Sequence, residues 1–203
     1  MIKAFIFDFD GVIIDTNNYH FLSWKKSLDD FGIDFSSEDY KKIKGLSRSD
    51  SVDYMSLFNK KIEHNKVELL KRKNDIYLEL IEDLNSDDLM LGVKDFLINN
   101  KKFKLGVASS SRNARYILKK IKCDHFFDII IDANDICESK PNPKVFLKCA
   151  DAFGLQPCEC IVFEDSENGL LAAKRGGFNT YLVGNDKIKH LADNYINDLT
   201  FYK

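Results

Sequence analysis

The sequence predicts an α/β fold, in which a doubly wound parallel sheet carries an α-helical insertion after its first strand. Three observations predict it. Residues 4–7 form a short apolar run near the N-terminus, which two carboxylates follow. Residues 15–88 show apolar residues at helical spacing. The second half of the chain alternates short apolar runs with helical segments, as parallel sheets with crossover helices do.

Composition and charge exclude several classes of partner. The 203 residues include 30 basic and 32 acidic side chains, a formal net charge of -2, which gives no reason to expect nucleic acid or an anionic membrane. Lys3 and two acids interrupt the N-terminal apolar residues, so we expect no signal peptide or membrane span, and a cytoplasmic monomer. The five cysteines are odd in number and lack zinc-site spacing, so we expect reduced thiols.

The first predicted strand, residues 4–7, reads Ala-Phe-Ile-Phe, as expected for a strand that is covered on both faces. Asp8 and Asp10 follow on one face of the extended chain, and Gly11 allows a sharp turn. Two carboxylates this close repel each other unless a cation lies between them or one is protonated. An isolated Asp-x-Asp is usually a solvated turn, but a buried strand that ends in acids favours a bound cation.

The insertion, called the cap below, is predicted to contain four helices. The first helix has an apolar stripe of Phe21, Trp24, Leu28 and Phe31. The other three are predicted at residues 39–44, 49–58 and 65–84. On the longest helix we expect a buried stripe of Val67, Leu70, Tyr77, Ile81 and Leu84. The predicted domains are therefore a core of residues 1–14 and 89–203 and a cap of residues 15–88.

The second half of the chain supplies the remaining strands and the helices that cover the sheet. The strands are predicted at residues 104–108, 127–131, 160–163 and 179–183. The helices are predicted at residues 93–99, 113–122, 143–153 and 167–174. Asn142 followed by Pro143 is typical of a helix start, and Gly154 and Gly176 lie where helices should end.

In an open parallel sheet, ligands bind beyond the carboxyl ends of the strands. The second strand is followed by a serine run from Ser109 and then a helix, which is typical of an anion site, although such serines are more often plain helix caps. Lys140 follows the third strand and would by itself be a surface lysine. The fourth strand ends in Glu164 and Asp165, which could merely cap a helix. Beside the acids of the first strand, however, they favour Mg²⁺, which prefers hard oxygen ligands.

These four signals, in this order, resemble the motifs of the haloacid dehalogenase superfamily, beginning with Phe7-Asp8-Phe9-Asp10-Gly11. The resemblance implies a sheet of strand order 3-2-1-4-5 and phosphoryl transfer through an aspartyl-phosphate. It implies that Asp8 is the nucleophile and that Asp10 is the acid and base. The remaining catalytic roles fall to Ser109, which would bind the phosphoryl group, and Lys140, which would neutralise it.

The same resemblance implies Mg²⁺ as the cofactor. Asp8, the backbone carbonyl of Asp10, and Asp165 would bind the metal directly. Glu164 would either bind it too or support the residues that do, and the sequence leaves both possibilities open.

The cap resembles that of the β-phosphoglucomutase family in the runs at residues 15–25, 45–48 and 71–77, and the core resembles it in the run at residues 107–113. The resemblance implies a sugar phosphate as substrate, and interconversion of β-glucose 1-phosphate and glucose 6-phosphate through the 1,6-bisphosphate. Arg48, Ser111 and Asn113 would bind the second phosphate, while His20, Lys73 and Asn74 would couple sugar binding to closure of the cap. The implied substrate-binding residues are Thr16, His20, Trp24, Gly45, Arg48, Lys73, Asn74, Ala108, Ser111 and Asn113.

Each cap residue also has a purely structural interpretation. His20 could be a packed histidine, while Arg48 and Lys73 could be surface cations. Two other functions stay open: a sugar-phosphate phosphatase with water as the acceptor, and a catalytically silent binding module, against which the intact motifs argue. Only eighteen residues follow Asn185, fewer than is usual in the family, so no last strand or helix is predicted there.

Overall fold

The computed structural model describes residues 1–202 and contains one parallel sheet of six strands. The strands are β1 (Ala4–Phe7), β2 (Lys104–Ala108), β3 (Ile129–Ile131), β4 (Cys160–Glu164), β5 (Asn179–Val183) and β6 (Asn194–Ile196). Their order is β3-β2-β1-β4-β5-β6, which confirms the predicted α/β fold and extends the predicted order by one strand. The additional strand, β6, pairs with β5 at the sheet edge and was not predicted, because its three residues carry too short a pattern.

Nine α-helices surround the sheet or lie in the insertion among the described residues 1–202. Those in the insertion are α1 (Asn17–Asp29), α2 (Ser37–Ile43), α3 (Arg48–Ser56), α4 (Lys60–His64) and α5 (Lys66–Leu80). Those that flank the sheet are α6 (Val93–Asn99), α7 (Ala114–Lys120), α8 (Lys144–Phe153) and α9 (Glu167–Arg175). The insertion therefore has five helices where four were predicted. The short helix α4, whose first turn is capped by the Asn59 side chain, was missed.

The buried face of α5 differs from the predicted stripe. Val67, expected on that stripe, is 83% exposed. The buried residues of α5 are instead Leu69, Lys73, Ile76 and Tyr77. The prediction holds for Tyr77 and, beyond the end of the helix, for Ile81 and Leu84, which are buried. It is wrong for Val67, because it followed apolar residues alone, whereas a lysine occupies the centre of the face that the helix turns inward.

The two faces of the sheet are covered by separate apolar clusters, as the period of two along a strand requires. Phe5 and Phe7 point to one face, where Phe7 stacks on Phe163 of β4 with ring centroids 5.0 Å apart. Ala4 and Ile6 point to the other face and pack among residues of α8 and α9. Each large side chain buried in this way contributes roughly 1.5–3 kcal/mol. The central strand β1 is therefore held firmly up to the residue before Asp8.

The inserted helices form an apolar cluster of their own, in which Trp24 and Leu28 of α1 meet Val52 and Met55 of α3 and Leu69 of α5. The domain boundaries at residues 15 and 88 stay a prediction. Within residues 1–202, no helix is both long and apolar enough to cross a lipid bilayer.

Candidate active site

Three carboxylates meet at the carboxyl ends of β1 and β4. The two strands are paired in parallel with Phe7 opposite Phe163, so the residues that follow each strand lie side by side. Oxygen atoms of Asp8, Glu164 and Asp165 lie within 4.8 Å of one another, and all three side chains are buried. Like charges at this separation require compensating cations.

Lys140 supplies one of these cations. Its Nζ lies 2.6 Å from Asp8 Oδ1 and 2.6 Å from Glu164 Oε1, and the side chain is 1% exposed. Burial by itself would lower the pKa of Lys140, but the two carboxylates outweigh burial and raise the pKa above its ordinary value. The lysine therefore remains an ammonium ion, and the interpretation as a surface lysine is wrong.

Glu164 is fully hydrogen-bonded. Its Oε2 accepts hydrogen bonds from the backbone N–H groups of Asp165 and Ser166, both at 2.8 Å, and from Ser166 Oγ at 2.9 Å. Its Oε1 faces Lys140. Gly169 in α9 is needed here, because a Cβ atom at that position would come within 1.8 Å of Glu164 Oε1. Glu164 thus holds Lys140 and the loop after β4 in place.

Asp165, in contrast, has one oxygen without a partner. Its Oδ2 accepts hydrogen bonds from Lys44 Nζ at 2.7 Å and Asn17 Nδ2 at 3.1 Å. Its buried Oδ1 has no hydrogen-bond partner among the described residues. Burial is the main reason that the pKa of Asp165 rises to about 6. A buried oxygen of this kind is costly unless something binds it.

The carboxylate cluster fits a hard divalent cation. Burial and the neighbouring Glu164 raise the pKa of Asp8 well above its ordinary value, in spite of Lys140. A cation between Asp8 and Asp165 would offset this penalty and satisfy Asp165 Oδ1. Two carboxylates and no nitrogen or sulfur donor suit Mg²⁺, which keeps several waters and takes few protein ligands.

A second chain of contacts runs from Asp10 into the cap. Asp10 Oδ1 accepts hydrogen bonds from Thr16 Oγ1 and from His20 Nε2, the latter at 3.2 Å. Lys73 Nζ lies 2.8 Å from His20 Nδ1. When Lys73 is protonated it can only donate, so His20 then carries its proton on Nε2 and donates it towards Asp10. Burial and the Lys73 cation lower the pKa of His20.

Lys73 is buried against two aromatic rings. Its Nζ lies 4.5 Å from the Tyr77 ring centroid and 5.4 Å from that of Trp24. Burial and the Arg48 cation lower its pKa to about 7. Burial opposes the ionisation of Asp10, but the hydrogen bonds and charge of His20, with Thr16 and Lys73, leave the pKa of Asp10 below its ordinary value.

Two arginines, Arg48 and Arg112, line the same cleft. Burial and the neighbouring Arg112 lower the pKa of Arg48. Neither arginine forms a salt bridge with any carboxylate in residues 1–202. Nearby, Asn113 Nδ2 donates to Asn74 Oδ1 at 3.1 Å and so links the insertion to the core. Two adjacent guanidinium groups with no anionic partner are typical of an anion site.

A model of the haloacid dehalogenase-like hydrolase family matches residues 5–183. The chain belongs to that family. It is 38% identical to the β-phosphoglucomutase of Bacillus subtilis over 90% of this chain and 83% of that protein. It is 28% identical to the fructose-1-phosphate phosphatase of Escherichia coli, over 86% of this chain and 92% of the relative.

The crystal structure of a β-phosphoglucomutase from Clostridium difficile superposes on this haloacid dehalogenase fold with a TM-score of 0.94 and 34% identity. The superposition covers 100% of this chain and 94% of the other. The sequence-based resemblance and the strand order are thereby confirmed. Relatives with both mutase and phosphatase names leave the acceptor of the phosphoryl group undecided.

Within this haloacid dehalogenase fold, most predicted site residues share one cleft. Those that line it are Asp8, Asp10, His20, Trp24, Gly45, Arg48, Lys73, Ser111, Asn113, Lys140 and Asp165. Thr16 and Asn74 contact lining residues from behind, and Ser109 Oγ accepts a hydrogen bond from the Ser111 N–H at 3.0 Å. Ala108, in contrast, is buried in the apolar cluster beneath the sheet and does not line the cleft.

Three further residues that line the cleft were missed from the sequence. They are Asn17, Lys44 and Arg112. For Arg112 a signal existed, because it stands between Ser111 and Asn113, both of which were predicted. Lys44 stands beside the predicted Gly45, but nothing in the local sequence indicates that its side chain reaches a carboxylate of the core.

Proposed function

We propose that this chain is a Mg²⁺-dependent β-phosphoglucomutase, which interconverts β-D-glucose 1-phosphate and glucose 6-phosphate. One observation carries the proposal: a single cleft is lined both by the Asp8 carboxylate and by Arg48 and Arg112, which form no salt bridge within residues 1–202. A sugar with two phosphates requires both the carboxylate and the arginines. The 38% identity to the mutase of Bacillus subtilis supports the same proposal.

Asp8 attacks the phosphorus atom of the substrate in line with the leaving oxygen and becomes an aspartyl-phosphate. Lys140 contacts Asp8 and offsets negative charge on the transferring group. Asp8, the backbone carbonyl of Asp10, and Asp165 would hold Mg²⁺, which when bound supplies further positive charge to the phosphoryl oxygens. Ser109 Oγ accepts a hydrogen bond from the Ser111 N–H and so supports the turn after β2.

Asp10 moves the proton. It protonates the leaving sugar oxygen and later removes a proton from the attacking hydroxyl. Thr16 and His20 fix its carboxylate, and Lys73 fixes the His20 ring in turn. Because His20 and Lys73 belong to helices of the insertion, Asp10 is correctly held only while those helices pack on the core.

In this proposal, the arginine end of the cleft allows the enzyme to act as a mutase. Arg48, Arg112, Ser111 and Asn113 hold the phosphate that is not reacting, and a bound bisphosphate exchanges its two phosphates between the ends of the cleft. The packed insertion keeps water from the aspartyl-phosphate during that exchange. The proposed partner is thus a small sugar phosphate, and neither nucleic acid nor a membrane takes part. We propose further that the protein is a cytoplasmic monomer.

The test is the ratio of products. The enzyme is incubated with β-glucose 1-phosphate, Mg²⁺ and a trace of the 1,6-bisphosphate, and glucose 6-phosphate and free phosphate are both measured. Glucose 6-phosphate in large excess supports the mutase. Free phosphate as the main product would overturn it.

The second candidate is a sugar-phosphate phosphatase, which the 28% identity to a fructose-1-phosphate phosphatase favours. The transfer chemistry at Asp8 would be the same, with water as the acceptor. In the same assay, fructose 1-phosphate as an additional substrate separates the two functions, because only the phosphatase would release phosphate from it at a comparable rate.

A further inference from the structure

The Lys44-Gly45 segment, between α2 and α3, packs directly on the loop that follows β4. Lys44 Nζ lies 2.7 Å from Asp165 Oδ2, and the Lys44 carbonyl accepts a hydrogen bond from Asn168 Nδ2 at 2.9 Å. Gly45 has a φ of +84°, and a Cβ atom there would come within 2.8 Å of Ser166 Oγ. The insertion therefore delivers a cation to the carboxylate cluster whenever this segment is packed on the core.

The two oxygens of the Asp165 carboxylate differ in their partners. Lys44 and Asn17 occupy its Oδ2, while its buried Oδ1 has no hydrogen-bond partner in the part of the chain that the structure describes. A metal ion bound at Oδ1 would share one carboxylate with the Lys44 ammonium. Two cations on one carboxylate repel each other, and partial burial reduces the screening by water.

The Lys44 ammonium makes the site less favourable for a metal ion alone than for a metal ion together with an anion. A divalent cation bound to Asp8 and Asp165 would add a third cation to the two ammonium groups, those of Lys140 and Lys44, that already contact these carboxylates. A dianionic phosphoryl group would be attracted to all three cations.

We propose that Lys44 is a positioning residue that makes metal binding depend on the phosphoryl group. With the segment packed on the core, its ammonium weakens Mg²⁺ binding in the absence of an anion, and a phosphate dianion relieves the repulsion. The metal and the phosphate then bind as a set. The inference rests on the proposed function only for the identity of the anion.

Calorimetric titration of the substrate-free enzyme with Mg²⁺, with and without inorganic phosphate, tests this proposal. Lys44→Met removes the charge and should bind Mg²⁺ about tenfold more tightly than the unmodified enzyme in the absence of phosphate. Phosphate should then tighten Mg²⁺ binding to the unmodified enzyme more than to the variant. Lys44→Arg keeps the charge and should retain the original affinity. Lys41→Met, an exposed lysine of α2 paired with Glu38, is the matched control and should also bind as the original does.

The outcomes separate the inference from the proposed function. Equal Mg²⁺ affinity of Lys44→Met and the unmodified enzyme overturns the inference alone. Weaker binding by Lys44→Met also overturns it, and would mean that Lys44 orients Asp165 for the metal. If no variant binds Mg²⁺, with or without phosphate, the proposed metal-dependent function fails together with the inference. Thermal unfolding of each variant establishes that it is folded.

Discussion

The two ends of the cleft differ in how their charges are compensated. At the transfer end, Asp8, Glu164 and Asp165 are paired with Lys140 and Lys44, and each lysine lies within 2.7 Å of a carboxylate. At the anion end, Arg48 and Arg112 both line the cleft, and neither forms a salt bridge within residues 1–202. The first end thus carries most of its compensating cations in the protein itself, although Asp165 Oδ1 has no partner among residues 1–202, whereas the second end has no counter-charge in a salt bridge. The contrast predicts that changes at the transfer end affect chemistry and stability, and that changes at the anion end affect binding.

The largest effect is expected at Asp8. Asp8→Asn removes the nucleophile with little change in shape, so turnover of every phosphate ester should fall by about 10³-fold or more. Stopped assays of glucose 6-phosphate and free phosphate measure the loss. Asp151→Asn, an exposed carboxylate of α8, is the control and should leave both rates unchanged. Undiminished turnover in Asp8→Asn would instead show that Asp8 is not the nucleophile, and would support a catalytically silent binding module.

Lys140 tests whether the charges at the transfer end stabilise one another. Lys140→Met leaves Asp8 and Glu164 buried without their cation, and loss of one partner from such a pair lowers the free energy of unfolding by about 3–5 kcal/mol. Urea unfolding measures this loss. Lys144→Met, in an exposed pair with Glu138, should change the stability little.

The double variant Lys140→Met/Glu164→Gln sharpens the same comparison. Glu164→Gln removes one of the two charges that Lys140→Met leaves uncompensated. The double variant should therefore be more stable than the sum of the single effects predicts, with a coupling of about 1 kcal/mol or more. Strict additivity would show that Lys140 and Glu164 act independently.

Lys73 lies between the two ends and tests the cost of a buried cation. Its pKa is about 7 in the folded protein and close to 10.5 when unfolded, so between these values the folded state binds fewer protons. Stability therefore increases as the pH rises through this window, and the cost of burying the charge is greatest below pH 7. The groups that face it are Asp10, Arg48 and His20, and the pKa of His20 is lowered, which places its titration below the window.

Lys73→Met should accordingly be more stable than the unmodified protein at pH 6. The difference in free energy of unfolding should shrink as the pH approaches 10, because the unmodified protein then loses its buried charge. Urea unfolding at a series of pH values measures both curves. A difference that does not vary with pH would show that Lys73 carries no charge penalty.

The transfer end could be predicted from the sequence more fully than the anion end. Asp8, Lys140 and Asp165 all follow strands, and a parallel sheet brings the ends of its strands to one edge whatever the details of side-chain packing. The burial of Lys73 could not be predicted in this way, because on a lysine-rich helix the sequence does not distinguish a buried lysine from a solvated one. Val67 was misplaced for the same reason, since Lys73 lies on the inward face of α5 beside Leu69, Ile76 and Tyr77, whereas Val67 is exposed.

Contacts between the insertion and the core were the least predictable. Lys44 and Asp165 are 121 residues apart in sequence, and Asn17 and Asp165 are 148 apart. Whether such side chains meet depends on the angle at which the helices pack on the sheet, which no local pattern encodes. Gly45, which has a positive φ in the structure, was the one local sign of a close approach between the insertion and the core. It was predicted to bind the substrate instead.

Arg48 and Arg112 complete the comparison. Arg48→Ala should lower mutase turnover about 100-fold, as expected for the loss of a charged hydrogen-bond donor to phosphate. Hydrolysis of p-nitrophenyl phosphate, which has one phosphate only, should stay within about twofold, because the transfer end is untouched. Arg112→Ala should act in the same direction and more weakly, since Arg112 is the more exposed of the two. Arg72→Ala, an exposed arginine of α5 paired with Asp30, is the control for both assays.

The same variants also separate the two ends by stability. Arg48 is partly buried, and within residues 1–202 its side chain donates one long hydrogen bond, from Nη1 to the Leu70 carbonyl at 3.4 Å, so its removal should not lower the free energy of unfolding as Lys140→Met does. An equal loss of mutase turnover and aryl phosphate hydrolysis in Arg48→Ala would contradict a role confined to the second phosphate. It would place Arg48 at the transfer end, and the division of the cleft into a chemical end and a binding end would have to be abandoned.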